Sequence, residues 1–90
     1  MNHVRVLFFA TVRDKAGTKG VELDVEAGTT VQQLKKILAG RYPAITDVLE
    51  HCLAAVNHEY SAEDGEVPAD AEVAFFPPVS GGGEQLTVGG

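Results

Sequence analysis

The sequence predicts an α+β domain in which one helix packs on a mixed sheet. Three observations point there. β-Branched and aromatic residues concentrate in four short segments, near residues 4–10, 21–26, 53–57 and 72–76. A single amphipathic stretch carries helix-start and helix-stop signals. The resulting order, strand, strand, helix, strand, strand, suits a hairpin followed by a helical crossover.

The first segment, Val4-Arg5-Val6-Leu7-Phe8-Phe9-Ala10, has apolar residues at both parities, as a central strand with little water on either face requires. Thr11 to Gly20 is polar and reads as the hairpin connection. Val21-Glu22-Leu23-Asp24-Val25-Glu26 alternates strictly, the mark of a strand wet on one side. Thr30 with Gln33 three positions on fits a capping box. Val31, Leu34, Ile37 and Leu38 then form one apolar stripe, and Gly40 with Pro43 predicts that the helix stops near Ala39. Asp47 to His51 suits a short helical turn before the strand Leu53-Ala54-Ala55-Val56-Asn57. Residues 61–71 read as an acidic loop, and Glu72-Val73-Ala74-Phe75-Phe76 as a last strand that Pro77-Pro78 must end.

A right-handed crossover places the first and last strands side by side in the middle of the sheet. This is the β-grasp, or ubiquitin-like, arrangement, with a mixed four- to five-stranded sheet and one main helix on one face. A single helix leaves the other face open. One parity of strand one, and either Phe75 or Phe76, must point there, because neighbouring residues of a strand face opposite ways. With Tyr60, such residues make an apolar patch of the kind that marks a protein interface.

Ninety residues suffice for one core and no second domain. With 44% hydrophobic and 22% charged residues, the composition is that of a soluble globule. No apolar run approaches a membrane span and no secretory leader pattern is present, so a cytoplasmic protein is expected. Residues 1–41 hold all seven Lys and Arg with four acids, whereas residues 42–90 hold nine acids and no Lys or Arg. That acidic half repels phosphate backbones and argues against nucleic acid, while a basic protein partner would be met faster through electrostatic steering. Cys52 stands alone, which excludes an internal disulfide or a CxxC pair and reads as a small buried residue. His3, His51 and His58 show no metal or triad spacing, and Glu63, Asp64 and Glu66 lack the periodicity of a calcium loop.

Glycine dominates the C-terminal segment: Gly81-Gly82-Gly83, then Gly89-Gly90. Lacking a Cβ, glycine can thread a slot that admits only backbone. The division expected is a globular domain over 1–80 and a flexible glycine-rich tail over 81–90.

Three blocks resemble the MoaD family, the small sulfur-carrying subunit of molybdopterin synthase: Val6 to Ala10 with Val12-Arg13-Asp14 and Ala16-Gly17; Ala54-Ala55-Val56-Asn57; and Glu72 to Gly82, with Phe75-Phe76-Pro77-Pro78-Val79 before Gly81-Gly82. The aromatic and proline pairs separate this pattern from the thiamine sulfur carrier ThiS. The resemblance implies that the chain binds no cofactor itself. A MoeB/ThiF-like adenylating enzyme would use ATP to activate the C-terminal glycine carboxylate, and a sulfurtransferase would convert it to a thiocarboxylate. Two such carriers would dock on a dimer of the large subunit MoaE, giving a heterotetramer, and donate sulfur to cyclic pyranopterin monophosphate. The interface residues implied are Phe9, Arg13, Tyr60, Phe75, Pro77, Pro78 and Val79. Pro77-Pro78 would supply a stiff exit for the tail.

The chain departs from the family pattern in continuing for eight residues past Gly82. Adenylation needs a free carboxylate, so three readings stand. The chain is processed after Gly82; it uses Gly89-Gly90 as the working end of a longer arm, the reading preferred because a second glycine pair is improbable by chance; or residues 83–90 are a fusion linker. A rival function is a ubiquitin-like protein modifier, or a sulfur carrier for thiamine, cysteine or tRNA thiolation. A stand-alone enzyme is the weakest reading.

Overall fold

A computed structural model describes residues 1–77. Strands β1 (Asn2–Phe8), β2 (Gly20–Val25), β3 (Leu53–Val56), β4 (Glu59–Ser61) and β5 (Ala71–Phe76) form one sheet in the order β2-β1-β5-β3-β4. β1 pairs parallel with β5 and antiparallel with β2, and β3 runs antiparallel to both β4 and β5. The first and last strands are therefore central neighbours, as the two-sided apolar character of their sequences predicts.

Helix α2 (Val31–Arg41) is the main helix. Thr30 Oγ1 accepts from the Gln33 amide at 3.2 Å while Gln33 Oε1 accepts from the Thr30 amide at 3.0 Å, so the capping box forms as read. The remaining free amides of the first turn belong to Val31 and Gln32. They donate to the carbonyls of Gly65 and Glu63 at 2.9 Å each. The acidic loop is thus fastened along the start of the helix, leaving no orphan donor there. Lys35, only 7% exposed, completes the fastening: its Nζ donates to the Cys52 carbonyl and to Glu63 Oε2, both at 2.8 Å.

α2 ends later than the sequence suggests. It runs through Gly40 to Arg41, and Tyr42 closes it with its amide on the Leu38 carbonyl. The stop is set by Pro43, which drives the residue before it out of helical geometry (Tyr42 φ −130°, ψ 76°), and not by Gly40. Ile37, placed in the apolar stripe by periodicity, is 40% exposed.

A larger correction concerns residues 11–20. They are not a plain hairpin connection: α1 (Ala10–Ala16) occupies most of it, closed by Gly17 in the left-handed region (φ 76°) with its amide on the Arg13 carbonyl. A seven-residue helix has little stability of its own. Val12, fully buried, ties it to the core. A 3₁₀ turn (Pro43–Ile45) and α3 (Thr46–Glu50) complete the helical layer. Val12, Leu34, Leu38, Ile45 and Leu49 from that layer meet Val4, Val6, Phe8, Val25, Val73 and Phe75 from the sheet in one core. Cys52 lies in it, as expected, with Sγ on the Val48 carbonyl at 3.2 Å. The expected boundary between residues 80 and 81 falls outside the described residues.

Candidate functional site

Strand alternation builds the site. Val4, Val6 and Phe8 fill the core, so Arg5 and Leu7 project from the opposite, uncovered face. Phe9 is still extended (φ −125°, ψ 151°) and continues the alternation onto that face before Ala10 turns the chain into α1. In β5, Ala71, Val73 and Phe75 are buried, and Glu72, Ala74 and Phe76 take the parity of the open face. Strand pairing then aligns Leu7, Ala74, Ala55 and Tyr60 in one row across four strands. Leu53 pairs with Phe76 in the adjacent row, and Phe76 stacks on Phe9 with ring centroids 4.9 Å apart and planes 11° from parallel. Leu7, Phe9, Ala55, Tyr60, Ala74 and Phe76 line a shallow apolar hollow, bordered by His58 and Glu72. Tyr60 is 77% exposed, Leu53 48% and Phe9 39%.

The other half of the same face is polar. Glu22, Arg5 and Glu72 share a row, and His3 bridges Asp24 through Nδ1 (3.0 Å) and Glu22 through Nε2 (2.8 Å). Those hydrogen bonds, Glu22 first and Asp24 second, push the His3 pKa above its ordinary value. Burial pushes the Cys52 thiol up against an opposing pull from Lys35, so a reactive thiolate is disfavoured. Because β1 and β5 are parallel, their C-terminal ends lie at one edge of the sheet. The apolar half sits at that edge, where β5 passes into Pro77 and the glycine-rich segment.

Several sequence-predicted residues meet here and others do not. Phe9 and Tyr60 line the hollow, and Pro77 follows directly from Phe76. Phe75 does not belong to the surface: it is fully buried, and its half-buried neighbour Phe76 lines the open face instead. The cue was available, since Glu72 shares the parity of Ala74 and Phe76 and a charge marks the wet side of a strand. Arg13 is exposed on α1, outside the lining of the hollow, with its guanidinium 4.0 Å from Asp14. Pro78, Val79, Gly81, Gly82, Gly89 and Gly90 lie outside the described residues. By sequence, Asn57 ends a strand and His58 has no role, but β3 stops at Val56. Both have positive φ (50° and 73°) and form the two-residue turn between β3 and β4. Asn57 also clamps β5, donating its amide to the Glu72 carbonyl at 2.8 Å and accepting the Glu72 amide on Oδ1 at 2.9 Å.

A model of the ThiS family matches residues 6–82, nearly the whole described body. The chain belongs to the ThiS family. It is 40% identical over 81 residues to the molybdopterin synthase sulfur carrier subunit of Escherichia coli, a match covering 88% of this chain and 99% of that protein. Its identity to the molybdopterin synthase sulfur carrier subunit of Dictyostelium discoideum is 35% over 85 residues, covering 90% and 98% of the two chains. Among solved structures, the crystal structure of small archaeal modifier protein 1 from Haloferax volcanii superposes with a TM-score of 0.78 at 31% identity, covering 90% of this chain and all of that one. The ubiquitin-like β-grasp is thereby established for a ThiS-family chain. No described helix is long and apolar enough to cross a membrane.

Proposed function

We propose that this ThiS-family chain is the sulfur carrier of a molybdopterin synthase, holding sulfur as a glycyl thiocarboxylate and donating it to cyclic pyranopterin monophosphate. One observation carries the reading. The uncovered apolar hollow lies at the sheet edge from which β5 leads into the glycine-rich segment, so a partner docked on Phe9, Tyr60 and Phe76 receives the tail beside it. The name shared by the Escherichia coli and Dictyostelium relatives supports the same conclusion, and as subunits they imply a further subunit for the hollow to meet.

The chemistry asks little of the body. A separate MoeB/ThiF-like enzyme joins a terminal glycine carboxylate to AMP from ATP, releasing pyrophosphate; a sulfur nucleophile then displaces AMP. Docking converts delivery into an intramolecular event and raises the effective concentration of sulfur at a MoaE-like active site. The acid activated is Gly90 on the full chain or Gly82 after removal of residues 83–90.

Mass spectrometry of the chain incubated with its adenylating enzyme, ATP and a sulfur donor tests this. The expected product gains one sulfur in place of one oxygen, on the full chain or on a chain ending at Gly82, and loses it when large subunit and pterin precursor are added. A second reading, a protein modifier, draws on the 33% identity to small archaeal modifier protein 1 of Haloferax volcanii. Isopeptide adducts on lysines, with no sulfur transfer to the pterin, would replace the first reading by the second.

A further inference from the structure

The hollow has a shape as well as a polarity. Its central row runs Leu7, Ala74, Ala55, Tyr60, so two alanines sit side by side between larger side chains. Their methyl groups form a floor. With strands about 4.8 Å apart, the Leu7 and Tyr60 backbones stand about 14 Å from each other, room for an aromatic ring or a leucine to lie between them. Residues two positions along the same strands share the open face and close the ends. The stacked pair Phe9 and Phe76 stands at the C-terminal ends of β1 and β5, and Glu72 with His58 at the other end. The hollow is therefore a socket for a side chain, apolar on three sides and acidic on the fourth.

Charge at the acidic end is uneven. Among the described residues Glu72 makes no ion pair. Arg5 is set between Glu22 and Glu72 in its row, and His3 is held by Glu22 and Asp24. An anion brought here meets carboxylates on both sides of Arg5, whereas a cation meets Glu72 directly.

We infer that the socket takes one large apolar side chain of a protein partner, aromatic or leucine-like, while a lysine or arginine of that partner pairs with Glu72. An aromatic anchor would bury about 150–250 Å², and that burial supplies the affinity. The ion pair supplies orientation, because the cation must lie on the side of the anchor away from Phe9 and Phe76. A second copy of this chain is the poorer occupant, since its own open face offers Glu72 only Arg5 and His3, each already set between carboxylates. The existence of the partner rests on the sulfur-carrier reading; the shape and charge of the socket do not.

Nuclear magnetic resonance titration of the isotopically labelled full chain with three blocked dipeptides tests the inference. The probes are N-acetyl-phenylalanyl-arginine amide, its analogue with glutamate in place of arginine, and its analogue with alanine in place of phenylalanine. The first should shift Ala55, Ala74, Tyr60 and Phe76 and leave Leu34 and Leu38 unmoved. It should bind about fivefold more tightly than the glutamate probe, as an exposed ion pair allows, and more tightly still than the alanine probe. Ala55→Leu fills the floor and should weaken the first probe about tenfold, the loss expected when an apolar anchor is shut out. Glu72→Gln should keep the aromatic contact and erase the preference for arginine over glutamate. Equal binding of the arginine and glutamate probes, unchanged binding to Ala55→Leu, or shifts centred away from Tyr60 and Phe76 overturns the inference. So do Tyr60 and Phe76 signals that move on dilution of the chain alone, which assign the hollow to a second copy. The probes need neither a thiocarboxylate nor a large subunit, so failure here leaves the sulfur-carrier reading standing, and failure of that reading leaves these shifts as they are.

Discussion

Adjacent phenylalanines on β5 should fail in opposite ways. Phe75 is fully buried among core residues, and truncation to alanine combines lost transfer free energy with a cavity, about 3–5 kcal/mol for a buried phenylalanine. A single domain of this size has about 5–13 kcal/mol in total, so Phe75→Ala removes a large share. At about 4–8 °C per kcal/mol, the melting midpoint falls by at least about 12 °C. Phe76 is half-buried, and its defined partner is the Phe9 ring, a stack worth about 0.5–1.5 kcal/mol beyond area. Phe76→Ala should therefore cost about 1–2 kcal/mol of stability. On docking the order reverses: an aromatic at the centre of an interface costs about 2 kcal/mol or more, near 30-fold in Kd, while Phe75→Ala still folded at low temperature keeps its surface. Urea unfolding followed by circular dichroism, with calorimetric titration of the large subunit at 10–15 °C (about the range of maximal stability), separates the two effects. Equal stability losses, or Phe76→Ala docking like the unaltered chain, would refute the assignment of faces.

Other consequences are more local. His58→Gly turns Asn57-His58 into the Asn-Gly pair that two positive φ angles favour, and should raise stability by about 0.5–1 kcal/mol in the same urea assay. Gly40→Ala should stabilise by a similar amount, about 0.5–1 kcal/mol, since Gly40 sits within α2 and nothing occupies the space a Cβ would enter. Lys35→Ala should cost about 2 kcal/mol through loss of the charge-assisted hydrogen bonds from a buried ammonium to the Cys52 carbonyl and the half-exposed Glu63, and hydrogen exchange at the Val31 and Gln32 amides should accelerate as the acidic loop loosens. His3 should titrate above its ordinary value, with its midpoint falling in a Glu22→Gln chain. Because its folded pKa is raised, its stabilising contribution is fully present below about pH 6.5 and disappears as pH rises through the folded value, which a chain with Glu22 and Asp24 both amidated should no longer show.

How much of this was legible follows the range over which each feature is determined. The capping box, the four principal strands and the central pairing of β1 with β5 could be read from neighbouring residues, because caps and two- or 3.6-residue periods are local physics. α1 could not: seven residues with one buried valine carry almost no periodic signal, and Val12 becomes an anchor only when the core it enters exists. β4 is three residues long and gains strand geometry from pairing with β3.

The site divides the same way. By itself the sequence determined that one of Phe75 and Phe76 faces out, that an apolar patch with Tyr60 lies on the open face, and that glycine follows the last strand. Only the tertiary structure decided which phenylalanine is buried, that Phe9 stacks on its neighbour, and that the acidic loop is fastened to α2 through Lys35 and Glu63. Alternation is a property of a strand alone, but the side it assigns to the core depends on where the helices pack, and that is settled by contacts between residues far apart in the chain.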